Sequence, residues 1–328
     1  MLAGAARLLS VERSSTTNIT AMTIQGNLVN GEQRELGALG TKVGAVSFGC
    51  WRFTGSNVQA DTALIEHALD LGMNLVDTAD VYGLDWGGSG FGANETALGD
   101  VLRGTPALRD RMVLATKVGI VPGVPYVSDP AYLVQATEAS LRRLGTDHVD
   151  LLQVHRPDPF THPSLVAEAL AGLCERGLVR SVGVSNHTPT QVRTLAAHLA
   201  HRGLSLATSQ PEFSALRLNA MRDGSFDICM ELGVTPMAWS PLSGGRLATG
   251  HNVPKALNAV LRQLASRERV SPAVIAVAFV LAHPARLIAV VGSQNPERLT
   301  ELARATTVHL DRTDVYAIIQ ASDGASLP

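Results

Sequence analysis

Ala45-Val46-Ser47-Phe48-Gly49-Cys50-Trp51-Arg52 is the stretch on which the fold turns. Its first four residues make a short, nearly continuous apolar run, the pattern of a strand buried on both faces. In a doubly wound nucleotide-binding sheet, a glycine-rich G-x-G-x-x-G turn follows the first strand. Here one glycine, a cysteine, a tryptophan and an arginine follow, and they make no such turn. The open sheet is disfavoured, and a closed barrel is expected if enough strands come after.

Downstream, the same kind of run recurs at Asn74–Thr78, Val113–Lys117, Asp150–His155, Ser181–Ser185, Ala207–Pro211, Thr235–Ser240 and Ile288–Val291. Helical spacing fills the gaps. Asp61 reads as an N-cap ahead of Leu64, Ile65, Ala68 and Leu69, with Gly72 as the stop. Asp129-Pro130 opens a second helix that runs to Leu144-Gly145, while Thr188–His201 and Pro296–Ala305 have the same character. Pro254–His283 reads as two helices broken near Ser271-Pro272. Eight strands alternating with helices, and no domain-scale linker, predict one α/β domain, a (β/α)8 TIM barrel. Leu36–Val43, with Gly37 and Gly40, is expected to be an N-terminal β-hairpin closing its base. Residues 1–35 read as a disordered or mis-assigned leader, with Met22 as an alternative start, and residues 36–328 as the barrel.

Composition narrows the function classes. A net charge of −2 gives no electrostatic reason to expect nucleic acid or an anionic membrane as partner. Apolar runs such as Leu287–Val291 are far too short to span a bilayer. The three cysteines, Cys50, Cys174 and Cys229, are widely spaced, so reduced thiols and a cytoplasmic location are expected. Neither they nor His155 show metal-ligand spacing, and no metal is expected.

Catalytic groups of such barrels sit at the carboxyl ends of strands. Alternation along each strand puts Leu75 with Asp77, Val113 and Ala115 with Lys117, and Leu151 and Gln153 with His155. Three consecutive strands thus present an acid, an amine and an imidazole to one mouth. Neighbouring strands lie roughly 5 Å apart, which lets Lys117 stand between Asp77 and His155. Tyr82, just past the second strand, can fold over the ammonium. That cation is expected to draw the phenol below its ordinary value near ~10, making it a proton donor or acceptor near neutral pH. Taken singly, each residue has a plainer role: a cap, a snorkelling lysine, a satisfied core histidine, a packed ring. Together at adjacent strand ends, they point to proton handling.

The same residues carry a family resemblance. Gly72-Met73-Asn74-Leu75-Val76-Asp77-Thr78-Ala79-Asp80-Val81-Tyr82-Gly83 resembles the first signature of the aldo-keto reductase family. Ala115-Thr116-Lys117-Val118 is similar to its lysine strand, and the segment from Ser140 to His155 resembles its second signature. Gly177 to Asn186, Met237 to Leu242 and Val291-Gly292-Ser293 follow in the family's order, so the resemblance runs from about Leu36 to Ala305. It implies Tyr82 as the acid/base, tuned by Lys117 and Asp77, with His155 orienting a carbonyl.

The resemblance also implies a nicotinamide cofactor. Ser185, Asn186 and Gln210 match the group that binds the carboxamide, and Trp239 matches the aromatic that stacks on the ring. Ser240, Leu242 and Gly244 match the loop over the pyrophosphate. At the adenosine end the chain departs from the best-known NADPH binders, with Gly292 where they carry lysine. Ser293, Gln294 and Arg298 remain, and Arg298 matches the arginine associated with a 2′-phosphate. NADP is the expected cofactor, with NAD as the alternative.

The expected activity is NAD(P)H-dependent reduction of aldehydes or ketones, or oxidation of the matching alcohols or sugars, by direct hydride transfer. The partner is a small-molecule carbonyl or alcohol. Trp51 and Trp86 are the substrate-facing candidates, Trp86 lying in an extended loop, Gly83–Gly92, with the character of a lid. Two alternatives stay open: a cofactor-sensing regulatory subunit, and a Schiff-base aldolase acting through Lys117.

Overall fold

The computed structural model describes residues 26–37 and 40–326. Strands β1 (Arg34–Leu36) and β2 (Thr41–Val43) pair antiparallel. The remaining eight are β3 (Val46–Gly49), β4 (Leu75–Asp77), β5 (Val113–Val118), β6 (Val149–Val154), β7 (Val179–Ser185), β8 (Leu206–Gln210), β9 (Thr235–Trp239) and β10 (Ile288–Val291). They pair in parallel, and β10 closes on β3 to complete the barrel. The fold is a (β/α)8 TIM barrel with an N-terminal hairpin, as the alternation predicts.

Alternation along the strands divides the apolar residues between two cores. Leu75, Val113, Ala115, Leu151, Ala207, Met237, Ile288 and Val290 fill the barrel interior, joined by Leu36 and Val43 of the hairpin. The opposite faces pack against the helical ring in one larger cluster. The hairpin thus stoppers the amino-terminal end of the barrel. At its turn Gly37, with a φ of +52°, lies so close to β8 that a Cβ there would stand 2.7 Å from Ala207 Cα. Only glycine fits that approach.

Helix starts follow local chemistry. Pro130, Pro163, Pro189, Pro272 and Pro296 each sit in the first turn of a helix, where no amide hydrogen is needed. Thr188 and Gln191 form a reciprocal capping box. The segment Pro272–Leu281 is buried from Ala273 through Leu281, which is why its sequence is apolar all round. None of the helices described is long and apolar enough to cross a membrane.

Two sequence expectations are corrected. The first barrel helix spans Val58–Asp70 and is capped by Asn57, whose side chain accepts the Ala60 amide hydrogen; Asp61 lies within its first turn. The cap precedes the apolar stripe by a turn, so the position just ahead of Leu64 misleads. The lower boundary at residue 36 also falls inside β1. Arg34 is buried at the barrel base and donates to the backbone oxygens of Asn30, Arg286 and Leu287. Residues 1–25 of the expected leader lie outside the described residues.

Candidate active site

At the carboxyl end of the barrel, β4 and β5 bring Asp77 and Lys117 together. Lys117 Nζ donates to Asp77 Oδ2 at 2.7 Å, to the Thr78 carbonyl at 2.9 Å and to the Tyr82 hydroxyl at 3.2 Å. Those three bonds use all three ammonium protons. Lys117 has no solvent exposure and Asp77 has 2 %, so the pair stands only because its desolvation is offset by bonding on every side. Asp77 Oδ1 accepts amide hydrogens from Gln153 and Gln210, each at 3.2 Å. Gln153 Oε1 in turn accepts from the Thr208 hydroxyl at 3.1 Å. A layer of buried polar groups therefore crosses the barrel beneath Tyr82.

Electrostatics follow from this packing. Burial alone would strip the Lys117 proton, but Asp77 and Tyr82 outweigh it and raise the lysine pKa. Burial likewise raises the Tyr82 pKa, opposed by Lys117 and assisted by Asp77. This reverses the expected lowering: the ammonium's charge is shared with a carboxylate at close range, leaving too little of it to offset the phenol's loss of water. Tyr82 is therefore neutral at ordinary pH. His155 follows β6, and its ring meets that of Tyr82 edge to face at 5.8 Å. Burial, then Lys117 and Arg156, holds the imidazole well below its usual range and neutral. Lys117 makes no hydrogen bond to His155 among the described residues; the tyrosine ring stands against it.

The predicted cofactor residues form three groups. Ser185, Asn186, Gln210 and Trp239 are joined by hydrogen bonds: Ser185 Oγ donates to the Gln210 carbonyl at 2.9 Å, and Asn186 Nδ2 donates to Ser185 Oγ at 2.8 Å. Trp239 Nε1 donates to Asn186 Oδ1 at 2.9 Å, fixing a half-buried indole. Ser240, Leu242 and Gly244 lie on the next loop, where the Gly244 amide donates to Ser240 Oγ at 2.9 Å. Gly244 and Gly245 have φ of +69° and +96°, and a Cβ on either would meet nothing within 4 Å. Backbone can thus approach a ligand closely there. Ser293, Gln294 and exposed Arg298 follow β10, and Arg298 makes no ion pair among the described residues.

Trp51 and Trp86 come together at the rim, their rings 5.2 Å apart and edge to face. Trp51 Nε1 donates to Asp85 Oδ1 at 3.2 Å, so the extended loop is tied to the turn after β3. Several residues here escaped the sequence reading. Gln153 was visible as sharing a face with His155 but carried no motif of its own, and Thr208 likewise. Arg217 and Arg246 line a cavity of about 420 Å³ beside Ser240 and Gly244; as exposed arginines they gave no signal in sequence.

The relatives of this chain make the barrel that of an oxidoreductase. The aldo/keto reductase family model matches residues 45–323, and the chain belongs to that family. It is 45% identical over 298 residues to a 6-dehydroglucose reductase of Novosphingobium aromaticivorans, covering 90% of this chain and 97% of that one. A 6-dehydroglucose reductase of Agrobacterium fabrum is 36% identical, covering 85% and 94%. Among solved structures, a thermostable aldo-keto reductase crystallised with the inhibitor epalrestat superposes with a TM-score of 0.75 at 25% identity, covering 88% of this chain and 99% of that one.

Proposed function

We propose that this oxidoreductase reduces the aldehyde of a hexose oxidised at its terminal carbon, with NADPH as the preferred reductant and Tyr82 as the proton donor. One observation carries the chemistry: Lys117 donates to the Tyr82 oxygen, so the phenol's own proton is left for another acceptor. A neutral phenol suits the reductive direction, in which a carbonyl oxygen gains a proton as its carbon gains hydride. His155, neutral and with Nδ1 unpartnered in its buried surroundings, is best satisfied with its hydrogen on Nε2, where it can donate to the same oxygen.

A bound nicotinamide would supply the hydride. The residues present suit it: Asn186 Oδ1 and Gln210 Oε1 keep acceptor capacity for a carboxamide, and Trp239 offers a fixed aromatic face. The open glycine backbone at Gly244 and Gly245, flanked by Arg217 and Arg246, suits a pyrophosphate. Arg298 favours the 2′-phosphate of NADP. Trp51 and Trp86 present aromatic faces of the kind that pack against a sugar ring, and the two 6-dehydroglucose reductases support that substrate class. Three cysteines, none of them in a disulfide, agree with a cytoplasmic setting.

The test is fluorescence titration with NADPH and NADH, followed by turnover of 6-dehydroglucose beside a panel of simple aldehydes. Tight NADPH binding with turnover favouring the sugar is expected. Absence of nucleotide binding, or of any carbonyl turnover, rejects the reading. Borohydride trapping of substrate on Lys117 would favour the aldolase instead, but a lysine whose three protons are already bonded is poorly placed as a nucleophile.

A further inference from the structure

Arg52 stands between the loops on which substrate and cofactor residues lie, and neither the Asp77–Lys117–Tyr82 group nor the carboxamide cluster uses it. It closes the short turn Cys50–Arg52 after β3. That turn is anchored from below, since buried Asn94 donates to the carbonyls of Cys50 at 2.7 Å and Trp51 at 3.1 Å. On one side the guanidinium carbon lies 4.3 Å from the centre of the Trp86 ring. On the other, Nη2 donates at 2.9 Å to the carbonyl of Gly244. One rigidly based cation thus touches the aromatic tip of the extended loop and the backbone of the glycine loop.

We infer that Arg52 is a positioning residue that couples closure of the glycine loop to placement of the Trp86 wall. The inference rests on the proposed cofactor site, because it needs the nucleotide to hold Gly244 in place. Its logic is geometric. The Gly244 carbonyl is fixed relative to Arg52 only while the loop keeps its left-handed turn, in which Ser243, Gly244 and Gly245 all have positive φ. A nucleotide held by that loop would keep the carbonyl available, and the guanidinium would stay over the Trp86 ring. When the loop opens, the guanidinium loses its hydrogen-bond acceptor, and Trp86 loses a cation fixed over its ring. Trp51 and Asp85 would still tether the loop but leave the angle of the Trp86 ring less defined. Coupling of this kind is reciprocal: whatever the nucleotide contributes to the Trp86 wall, the wall contributes to nucleotide retention.

Release of NADPH, followed by stopped-flow displacement using the cofactor's own fluorescence, tests this. Trp86→Leu lies on the substrate side, yet it should speed release by about two- to fivefold, the range of an exposed cation–π contact. Arg52→Met should speed release at least as much, and adding Trp86→Leu to it should have no further effect. Arg52→Lys, which keeps the charge but loses the flat fork, guards against misfolding of the methionine variant and should give the same non-additivity. Unchanged release in Trp86→Leu, or independent effects that multiply, overturns the coupling while leaving the reductase reading intact. A wild-type protein that binds no nicotinamide nucleotide overturns both.

Discussion

Gly183 and Thr208 occupy paired positions on β7 and β8, and a methyl group on Gly183 would stand 2.1 Å from Thr208 Oγ1 and 3.0 Å from its carbonyl oxygen. The same methyl would press on Gln153, 3.2 Å away at Cγ. Glycine is what lets Thr208 bond Gln153, and Gln153 bond Asp77. Gly183→Ala is therefore expected to cost about 1–3 kcal/mol by overpacking, read by denaturant unfolding. Turnover should fall as well, because the Asp77 carboxylate loses a fixed donor. Full stability and full activity would show that the layer is not rigid.

Tyr82→Phe removes only the hydroxyl. Turnover should drop by about 10²–10⁴-fold, while nucleotide affinity measured by fluorescence stays near wild type. Carbonyl reduction at the wild-type rate would remove Tyr82 from the chemistry.

Lys117→Met leaves Asp77 charged and buried without its cation. Such a loss costs about 3–5 kcal/mol, so a large fall in melting temperature should accompany the loss of activity. Adding Asp77→Asn should restore part of the stability and none of the turnover. A single variant as stable as wild type would contradict a buried ion pair.

Three imidazoles are held below their ordinary range, His155 and His283 chiefly by burial and His187 by burial to about 4. In the unfolded chain each binds a proton near pH ~6.5. Their contribution to stability is thus present above that value and is lost as pH falls below it, down towards about 4 for His187. Melting temperature should decline through that window, and His187→Gln should flatten the decline. An equally steep decline in that variant would assign the effect to other groups.

Arg298→Ala tests the nucleotide preference. If its guanidinium binds the 2′-phosphate, NADPH affinity should fall about tenfold or more, the scale of a charged hydrogen bond, with NADH affinity unchanged. Equal losses for both nucleotides would place Arg298 elsewhere.

The barrel was legible because strand parity is strict. Leu75, Ala115 and Leu151 had to share an interior with Asp77, Lys117 and Gln153, and they do. The Asp77–Lys117–Tyr82 contact followed from strand spacing and one short loop. The sign of the tyrosine shift did not, since it depends on how completely each group loses water, a quantity no sequence spacing contains. Asn57 was hidden for a related reason: its cap sits well ahead of the buried stripe that begins at Leu64. Arg52 was passed over because its partners, Trp86 and Gly244, are far away along the chain, and only closure of the barrel makes them neighbours.

With Leu36 and Val43 wedged into the barrel floor, a ligand bound above Asp77 and Lys117 would have to come and go by the opposite rim. Under the proposed reaction, substrate, nucleotide and the proton that restores Tyr82 would all pass that rim. Traffic would then be ordered by geometry: whichever guest sat deeper would have to arrive first and depart last.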